Sequence, residues 1–370
     1  MNEIVLLGAG AIGRGFLPWV IDPKKHSLTF VDSNFDLISR MKRAGHYSTY
    51  RVHDDGVEEL KVEVSGAYLP DEFSPERHPK MAACFFSVGP RNVSRAATLM
   101  RHSNVPLILC ENDPNTVAIV KNIVGRPNVY FAIPDVITSN TAPKDILAKD
   151  PLAVVTENGK LFIEAGAKGI SGEIYYISGK ELLEEQWPAK LYLHNTPHCI
   201  AAYLGALAKV TYVHEAMVVP RVDEIVTGAM NEMLACLKRS KPHLTTFLEW
   251  YAEKELSRFR CRQLYDPISR VAREPLRKLE TGDRLIGAAQ LCFAQGIVPH
   301  NILAGIVAAL LFDDQNDPDS HLAFLRGLMP PSLFHRYVLG LRSGEPLDIV
   351  LRADTDRLVK ELSALRPRLQ

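Results

Sequence analysis

The chain has no excess of charge of either sign: its 370 residues carry 43 Lys and Arg against 43 Asp and Glu. A non-specific nucleic-acid binder needs a basic face to displace phosphate counterions, so no nucleic-acid partner is expected. Long hydrophobic runs are missing too. The most apolar stretch, Ile302 to Phe312, is too short to span a bilayer, and no membrane partner is expected either. The opening Met1-Asn2-Glu3 has no basic segment leading into a long apolar run, so no signal peptide is predicted. Cysteine is sparse and scattered: Cys84, Cys110, Cys199, Cys236, Cys261 and Cys292 form no Cys-x-x-Cys pair. In a chain this long they read as reduced thiols of a cytoplasmic protein. What is present is ordinary globular material, 46% hydrophobic and 23% charged. The length predicts two domains with a generous core.

The first half alternates short apolar runs with helical patterns. Ile4–Leu7, Leu28–Val31, Ala83–Val88, Pro106–Cys110 and Val129–Ile133 have the size of buried parallel strands. Helix-like stretches such as Arg91–Arg101 and Asn115–Val124 lie between them. That rhythm predicts βαβ units and a Rossmann-like, doubly wound α/β sheet. Tyr47 to Leu69 alternates polar with apolar residues, as an antiparallel excursion would. Leu152–Val155 and Leu161–Glu164 flank Asn158-Gly159 and predict a hairpin with a type I′ turn. Beyond Leu183 the pattern is helical. Val222, Ile225, Val226, Ala229, Met233 and Leu237 recur at helix spacing, and Ile302–Phe312 is apolar almost all round. The expected division is residues 1–185 for the sheet domain and 186–370 for a mainly α-helical domain.

Gly8-Ala9-Gly10-Ala11-Ile12-Gly13 follows the first strand and opens a helical pattern. The first glycine permits a tight turn and the second lets the backbone approach a pyrophosphate. The third allows helix to pack on strand, and the helix N-terminus then faces the anion. Asp32 ends the next strand, nineteen residues past Gly13, where a carboxylate accepts hydrogen bonds from ribose hydroxyls and repels a 2′-phosphate. The expected cofactor is NAD.

Lys190, Asn195 and His198 open the helical half in Lys190-Leu-Tyr-Leu-His-Asn195-Thr-Pro-His198. Thr196-Pro197 reads as an N-cap followed by proline at the first helical position. Hydride removal from an alcohol needs a base for the hydroxyl proton and donors for the developing alkoxide, and these residue types supply both. Read without further context, the same three residues also fit a surface lysine, a capping asparagine and a core histidine. His194 and His198 are four apart but have no third ligand in a recognisable cluster, so no metal site is predicted.

The spacing Lys-x4-Asn-x2-His, after a Gly-Ala-Gly-x-Ile-Gly-Arg-Gly-Phe turn, resembles the polyol-specific long-chain dehydrogenases. Further matches run in order along the chain: Val88-Gly89-Pro90, Cys110-Glu111-Asn112, Pro275-Leu276-Arg277-Lys278-Leu279, Gly282-Asp283-Arg284 and Pro299-His300. The resemblance implies a metal-independent, NAD-dependent enzyme acting on a CH–OH group. Lys190 would be the general base, and Asn112 and Asn195 would hold the carbonyl or alkoxide oxygen. His198 would orient the reactive hydroxyl, while Arg270 and Lys278 would bind the substrate's distal oxygens. Gly8, Gly10, Ala11, Ile12, Gly13, Asp32, Val88 and Gly89 would line the cofactor.

The chain departs from the family pattern in three places. Ala11 replaces an asparagine in the turn, a small change expected to be tolerated. Two others bear on the substrate: Ile137-Thr138 where relatives carry Asp-Arg, and Cys261-Arg262, with Arg260 before it, where an Asn-Pro is expected. Arg260 and Arg262 read equally as a solvated basic face or as further handles for an anion. The default expectation is a polyol phosphate and its keto-sugar phosphate, of the mannitol 1-phosphate/fructose 6-phosphate type. An unphosphorylated polyol, a uronate/keto-acid pair or another sugar phosphate stay open, as does a catalytically silent NAD-binding sensor.

Overall fold

The computed structural model describes residues 1–53 and 56–366. Its contacts divide the chain into two compact units, Met1–Trp187 with Gln263–Tyr265, and Pro188–Arg262 with Asp266–Gln370.

The first unit is an α/β sheet structure. Its strands are β1 (Asn2–Leu7), β2 (His26–Val31), β3 (His46–His53), β4 (Gly56–Glu63), β5 (Gly66–Tyr68) and β6 (Met81–Phe86). They continue with β7 (Leu107–Leu109), β8 (Val129–Asp135), β9 (Val154–Glu157), β10 (Lys160–Glu164) and β11 (Ile174–Ile177). Eight of them form one sheet in the order β11-β10-β8-β7-β6-β1-β2-β5. All pairings from β8 through β5 are parallel, and β10 joins β8 antiparallel at the edge. The five apolar runs became β1, β2, β6, β7 and β8 because both faces of the sheet are covered. Ile4, Leu6, Phe30 and Phe85 enter one core, and Val5, Leu7, Val31 and Phe86 enter the other. Strand order reverses at β1, whose neighbours are β2 and β6, and such a switch point opens a crevice beyond the strands' carboxyl ends.

The antiparallel excursion is present as β3 paired with β4. The expected hairpin is not. β9 joins β3 in a separate three-stranded sheet, whereas β10 pairs with β8 and β11. Asn158-Gly159 therefore carries the chain from one sheet to the other. A type I′ turn needs a positive φ at its glycine, and Gly159 is not among the glycines with one. Gly159 is required for a different reason: a Cβ there would lie 2.5 Å from Val136 Cβ and 2.7 Å from the Asp135 carbonyl oxygen.

The second unit is a bundle of helices. At its centre runs Thr196–Leu207, buried at almost every position, with contacts to Pro220–Ser240, Ile268–Val271 and His300–Leu310. A helix without a polar face must be enclosed on all sides. Gly305 makes the closest approach possible, since a Cβ there would lie 2.4 Å from Ile200 Cγ1. Among the described residues no helix is long and apolar enough to cross a membrane.

Candidate active site

The glycine-rich turn sits between the end of β1 and a helical segment that begins as a π-turn, Ala11–Phe16. Gly8 has φ +97°, and a Cβ on Gly13 would lie 1.9 Å from the Gly8 carbonyl oxygen, so neither position admits a side chain. Around Gly10 the opposite holds: a Cβ would meet nothing within 4 Å, which leaves backbone amides open to an approaching anion. Arg14 holds the turn from beneath. Its Nε donates to the Ala9 carbonyl at 3.2 Å, its Nη1 donates to the Leu152 carbonyl, and its own carbonyl accepts from Tyr47 Oη at 2.7 Å. Burial lowers the proton affinity of this guanidinium.

Asp32 braces the same turn from β2. Its Oδ2 accepts the Ala9 amide at 2.7 Å and its Oδ1 accepts the Asn34 amide at 2.8 Å. Each oxygen keeps a lone pair for a ribose hydroxyl. A cleft of about 310 Å³ opens here, lined among others by Gly8, Gly10, Asp32, Val88, Arg95 and Leu99. Its size lies at the small end of ligand sites and it is walled on one side by apolar groups, as a nucleobase needs. Val88 and Gly89 are fixed by Glu111, whose two carboxyl oxygens accept their amides at 2.8 and 3.0 Å. Burial pushes the Glu111 carboxyl up to about 7, against the pull of those two bonds. The residues fit a dinucleotide: an open amide turn for its pyrophosphate, a carboxylate for its ribose and an apolar wall for its base.

Lys190, Asn195 and His198 all lie in the second unit. The helix that carries them does not start at Thr196. It runs from Trp187–Ala189 through a π-turn, Lys190–Asn195, into Thr196–Leu207. Thr196 makes no cap; its hydroxyl donates to the Arg284 carbonyl at 2.6 Å and lies 3.2 Å from the Leu191 carbonyl, its alternative acceptor. The wider turn accommodates Pro197, which has no amide hydrogen to return to the preceding turn. A π-turn also brings residues five apart onto one face, and Lys190 and Asn195 are five apart. Both are buried, and Asn195 Nδ2 has no hydrogen-bond partner among the described residues.

Two histidine–carboxylate pairs flank this helix. His194 Nδ1 lies 2.5 Å from Glu255 Oε2, and the fully buried Glu255 also pairs with Lys254 at 3.2 Å and with Arg258. His198 Nε2 lies 2.8 Å from Asp266 Oδ2. Asp266 Oδ1 accepts Arg270 Nε at 2.9 Å and Nη2 at 2.5 Å. Phe259 stacks on His198 with ring centroids 5.1 Å apart and planes 2° from parallel. Burial pushes the His198 imidazole down to about 4, although Asp266 works the other way. The Asp266 carboxyl is held down at about 2, its burial outweighed by Arg270 and His198. Each histidine is thus committed to a carboxylate. Among the described residues no group of three or more His, Cys, Asp or Glu side chains is arranged to hold a metal ion.

The remaining expected residues are placed as follows. Asn112 is exposed on the loop after β7, in the first unit. Lys278 is buried, its ammonium donating to the Arg273 carbonyl at 2.5 Å and to the Val271 carbonyl, 5.3 Å from the Tyr203 ring. Arg260 pairs with Asp223 at 2.7 Å on the surface, and Arg262 is exposed. Thr138 bonds Thr156 through their hydroxyls at 2.8 Å, and Ile137 donates its amide to Glu157 at 2.5 Å. Sequence reasoning missed Arg14, Arg95, Glu255 and Asp266, whose placement is set by tertiary packing. The local hints were ion-pair spacings: Asp266 four residues before Arg270, and Glu255 three before Arg258.

Residues 185–326 match the family model described as the mannitol dehydrogenase C-terminal domain. A mannitol-1-phosphate 5-dehydrogenase of Caldanaerobacter subterraneus subsp. tengcongensis is 30% identical over 355 residues, covering 86% of this chain and 88% of the relative. The same enzyme of an Exiguobacterium species is 32% identical over 341 residues, covering 86% and 87%. Among solved structures, Pseudomonas fluorescens mannitol 2-dehydrogenase in ternary complex with NAD and D-mannitol has a TM-score of 0.74 at 16% identity, covering 98% of this chain and 92% of that one. A D-sorbitol dehydrogenase in substrate-free form gives 0.66 at 14% identity, covering 98% and 94%. At such identities these two structures bear on the fold alone.

Proposed function

The chain belongs to the mannitol/polyol dehydrogenase superfamily, and from that premise we propose that it is an NAD-dependent oxidoreductase interconverting a polyol phosphate and a keto-sugar phosphate. The default pair is mannitol 1-phosphate, which the names of its 30–32% identical relatives carry, and fructose 6-phosphate as its keto-sugar partner. The observation that carries the proposal is the π-turn that sets a buried lysine and a buried, unpartnered amide donor on one helical face.

The nicotinamide, when bound, takes or returns the hydride. The protein's own part is to manage the proton and the oxygen. In oxidation, neutral Lys190 takes the proton of the reacting hydroxyl, and in reduction its ammonium gives that proton back. Asn195 Nδ2 donates to the oxygen as negative charge builds there, with Asn112 as the second donor. Asp32 selects NAD over NADP by accepting the adenosine ribose hydroxyls and repelling a 2′-phosphate. Arg270 has no partner at Nη1 among the described residues and can take an anionic group at the far end of the substrate. Lys278 anchors the backbone at residues 271–273 with two of its three N–H donors and keeps the third for a distal oxygen of the substrate.

A spectrophotometric screen of sugar phosphates, polyols and uronates with NADH and NADPH tests this reading. The fastest turnover is expected with NADH and a phosphorylated keto-sugar. Uronates belong in the panel because of the departures at Ile137-Thr138 and Arg260-Cys261-Arg262. Firm NADH binding with no turnover across the panel would reject the enzyme and favour an NAD-binding sensor.

A further inference from the structure

Asp266 is buried, 4% exposed, and the roles assigned above leave it unexplained. A carboxylate gripped by an arginine is an acceptor only, so the His198 nitrogen facing it must carry a hydrogen. Arg270 already balances the charge of Asp266 through Oδ1, and no second cation is needed. The buried imidazole then stays neutral, with its proton on Nε2 and a bare lone pair on Nδ1. Rotation that exchanged the two nitrogens would break the 2.8 Å bond to Asp266.

Among the described residues Nδ1 of His198 has no hydrogen-bond partner. Three positions earlier, Asn195 Nδ2 is a donor without one. Residues three apart on a helix share a face, with Cβ atoms about 5–6 Å apart, so the two atoms can meet oxygens on neighbouring carbons of one ligand.

We infer that Asp266, backed by Arg270, is a positioning residue that fixes His198 as a hydrogen-bond acceptor for a hydroxyl on the carbon next to the reacting one. The inference rests on the reading of His198 as a substrate contact and refines it. The reacting oxygen belongs to Asn195 and its proton to Lys190, while His198 reads the adjoining hydroxyl and transfers no proton. The substrate class follows: a vicinal diol in the reduced form and an α-hydroxyketone in the oxidised form. A bare ketone, or an adjoining oxygen capped as an ether, offers Nδ1 nothing.

The test begins with the full chain labelled with ¹⁵N-histidine, observed in long-range ¹H–¹⁵N spectra at pH 7, with His198 assigned through His198→Gln. The expected pattern is a neutral ring protonated on Nε2. A ring protonated on Nδ1, or on both nitrogens, would overturn the inference whether or not a variant folds. Asp266→Asn follows. Its single acceptor oxygen is claimed by Arg270, so its NH2 faces Nε2 and drives the proton to Nδ1. Oxidation of mannitol 1-phosphate should then lose roughly 10–100-fold in kcat/KM with NADH affinity unchanged, and Asp266→Glu should recover part of the loss. An Asp266→Asn protein with the wild-type tautomer and wild-type kcat/KM would refute the positioning role. The proposed function is judged separately: an Nε2–H ring in a protein that turns over no polyol would leave the tautomer standing and reject the substrate contact.

Discussion

Replacing Asp32 by serine probes the cofactor assignment, and the structure sets the size of the effect. The carboxylate has two oxygens, each already holding one backbone amide and each free to accept one ribose hydroxyl. A hydrogen bond to a charged acceptor contributes about 1.5–3 kcal/mol. Serine keeps a weaker acceptor, so a net loss of about 1.4–2.8 kcal/mol is expected, a 10–100-fold rise in Kd for NADH. The opposite sign applies to NADPH. Removing a charge about 5 Å from a 2′-phosphate at a half-exposed site relieves about 1–3 kcal/mol. Arg95, which lines the same cleft, is then a cation available to attract that phosphate. The NADH-to-NADPH affinity ratio should therefore fall by on the order of 10²-fold or more, read by fluorescence titration of each nucleotide. Asp32→Asn separates charge from support, since the amide oxygen still accepts from one of the two backbone amides. Both variants should relax the preference, the asparagine with the smaller loss of NADH affinity. A wild-type protein that prefers NADPH, or a serine variant with an unchanged ratio, would sink the assignment of Asp32.

Two further outcomes follow from the helical unit. The folded His198 imidazole titrates near 4, below its unfolded value of about 6.5. Its stabilisation is therefore complete above about pH 6.5 and lost as pH falls through 4, to a limit of about 3 kcal/mol. Asp266, near 2 against about 3.9 unfolded, adds a second loss below pH 4. Thermal melts from pH 7 to 4 should show the first loss, and His198→Gln should flatten it; a wild-type melting temperature constant over that range would contradict the burial argument. Gly305→Ala should cost about 1–3 kcal/mol, because its methyl group would sit 2.4 Å from Ile200 Cγ1 between two buried helices. Adding Ile200→Val should restore part of that, and a single variant whose urea midpoint is unchanged or raised would show that the contact is loose.

The sheet unit was legible in the sequence because a parallel strand buried on both faces must be apolar along its whole length. Leu28–Val31 and Val129–Ile133 announce themselves that way. The glycine turn was legible for a steric reason, since Gly13 touches the Gly8 carbonyl and no other residue fits. The Asn158-Gly159 hairpin failed because the same dipeptide also serves where a chain squeezes past a neighbouring strand. The cap at Thr196-Pro197 failed because a π-turn upstream accepts a proline that an ordinary helix interior would reject. The charge networks were beyond local reading. His194 meets Glu255 across 61 residues and His198 meets Asp266 across 68, so only the folded chain shows that both histidines are committed.

Hydride transfer between a nicotinamide and a carbinol carbon, with Lys190 handling the proton, can be followed atom by atom. The most direct measurement supplies NADH carrying deuterium at both C4 positions together with fructose 6-phosphate and follows deuterium into the product by mass spectrometry, for wild type and for Lys190→Ala. One deuterium is expected on the new carbinol carbon with wild type. With Lys190→Ala the rate of its appearance should fall roughly 10²–10⁴-fold while NADH binding stays intact. Deuterium that never reaches the sugar carbon would rule out the hydride transfer, and a Lys190→Ala protein that delivers it at the wild-type rate would rule out Lys190 as the base.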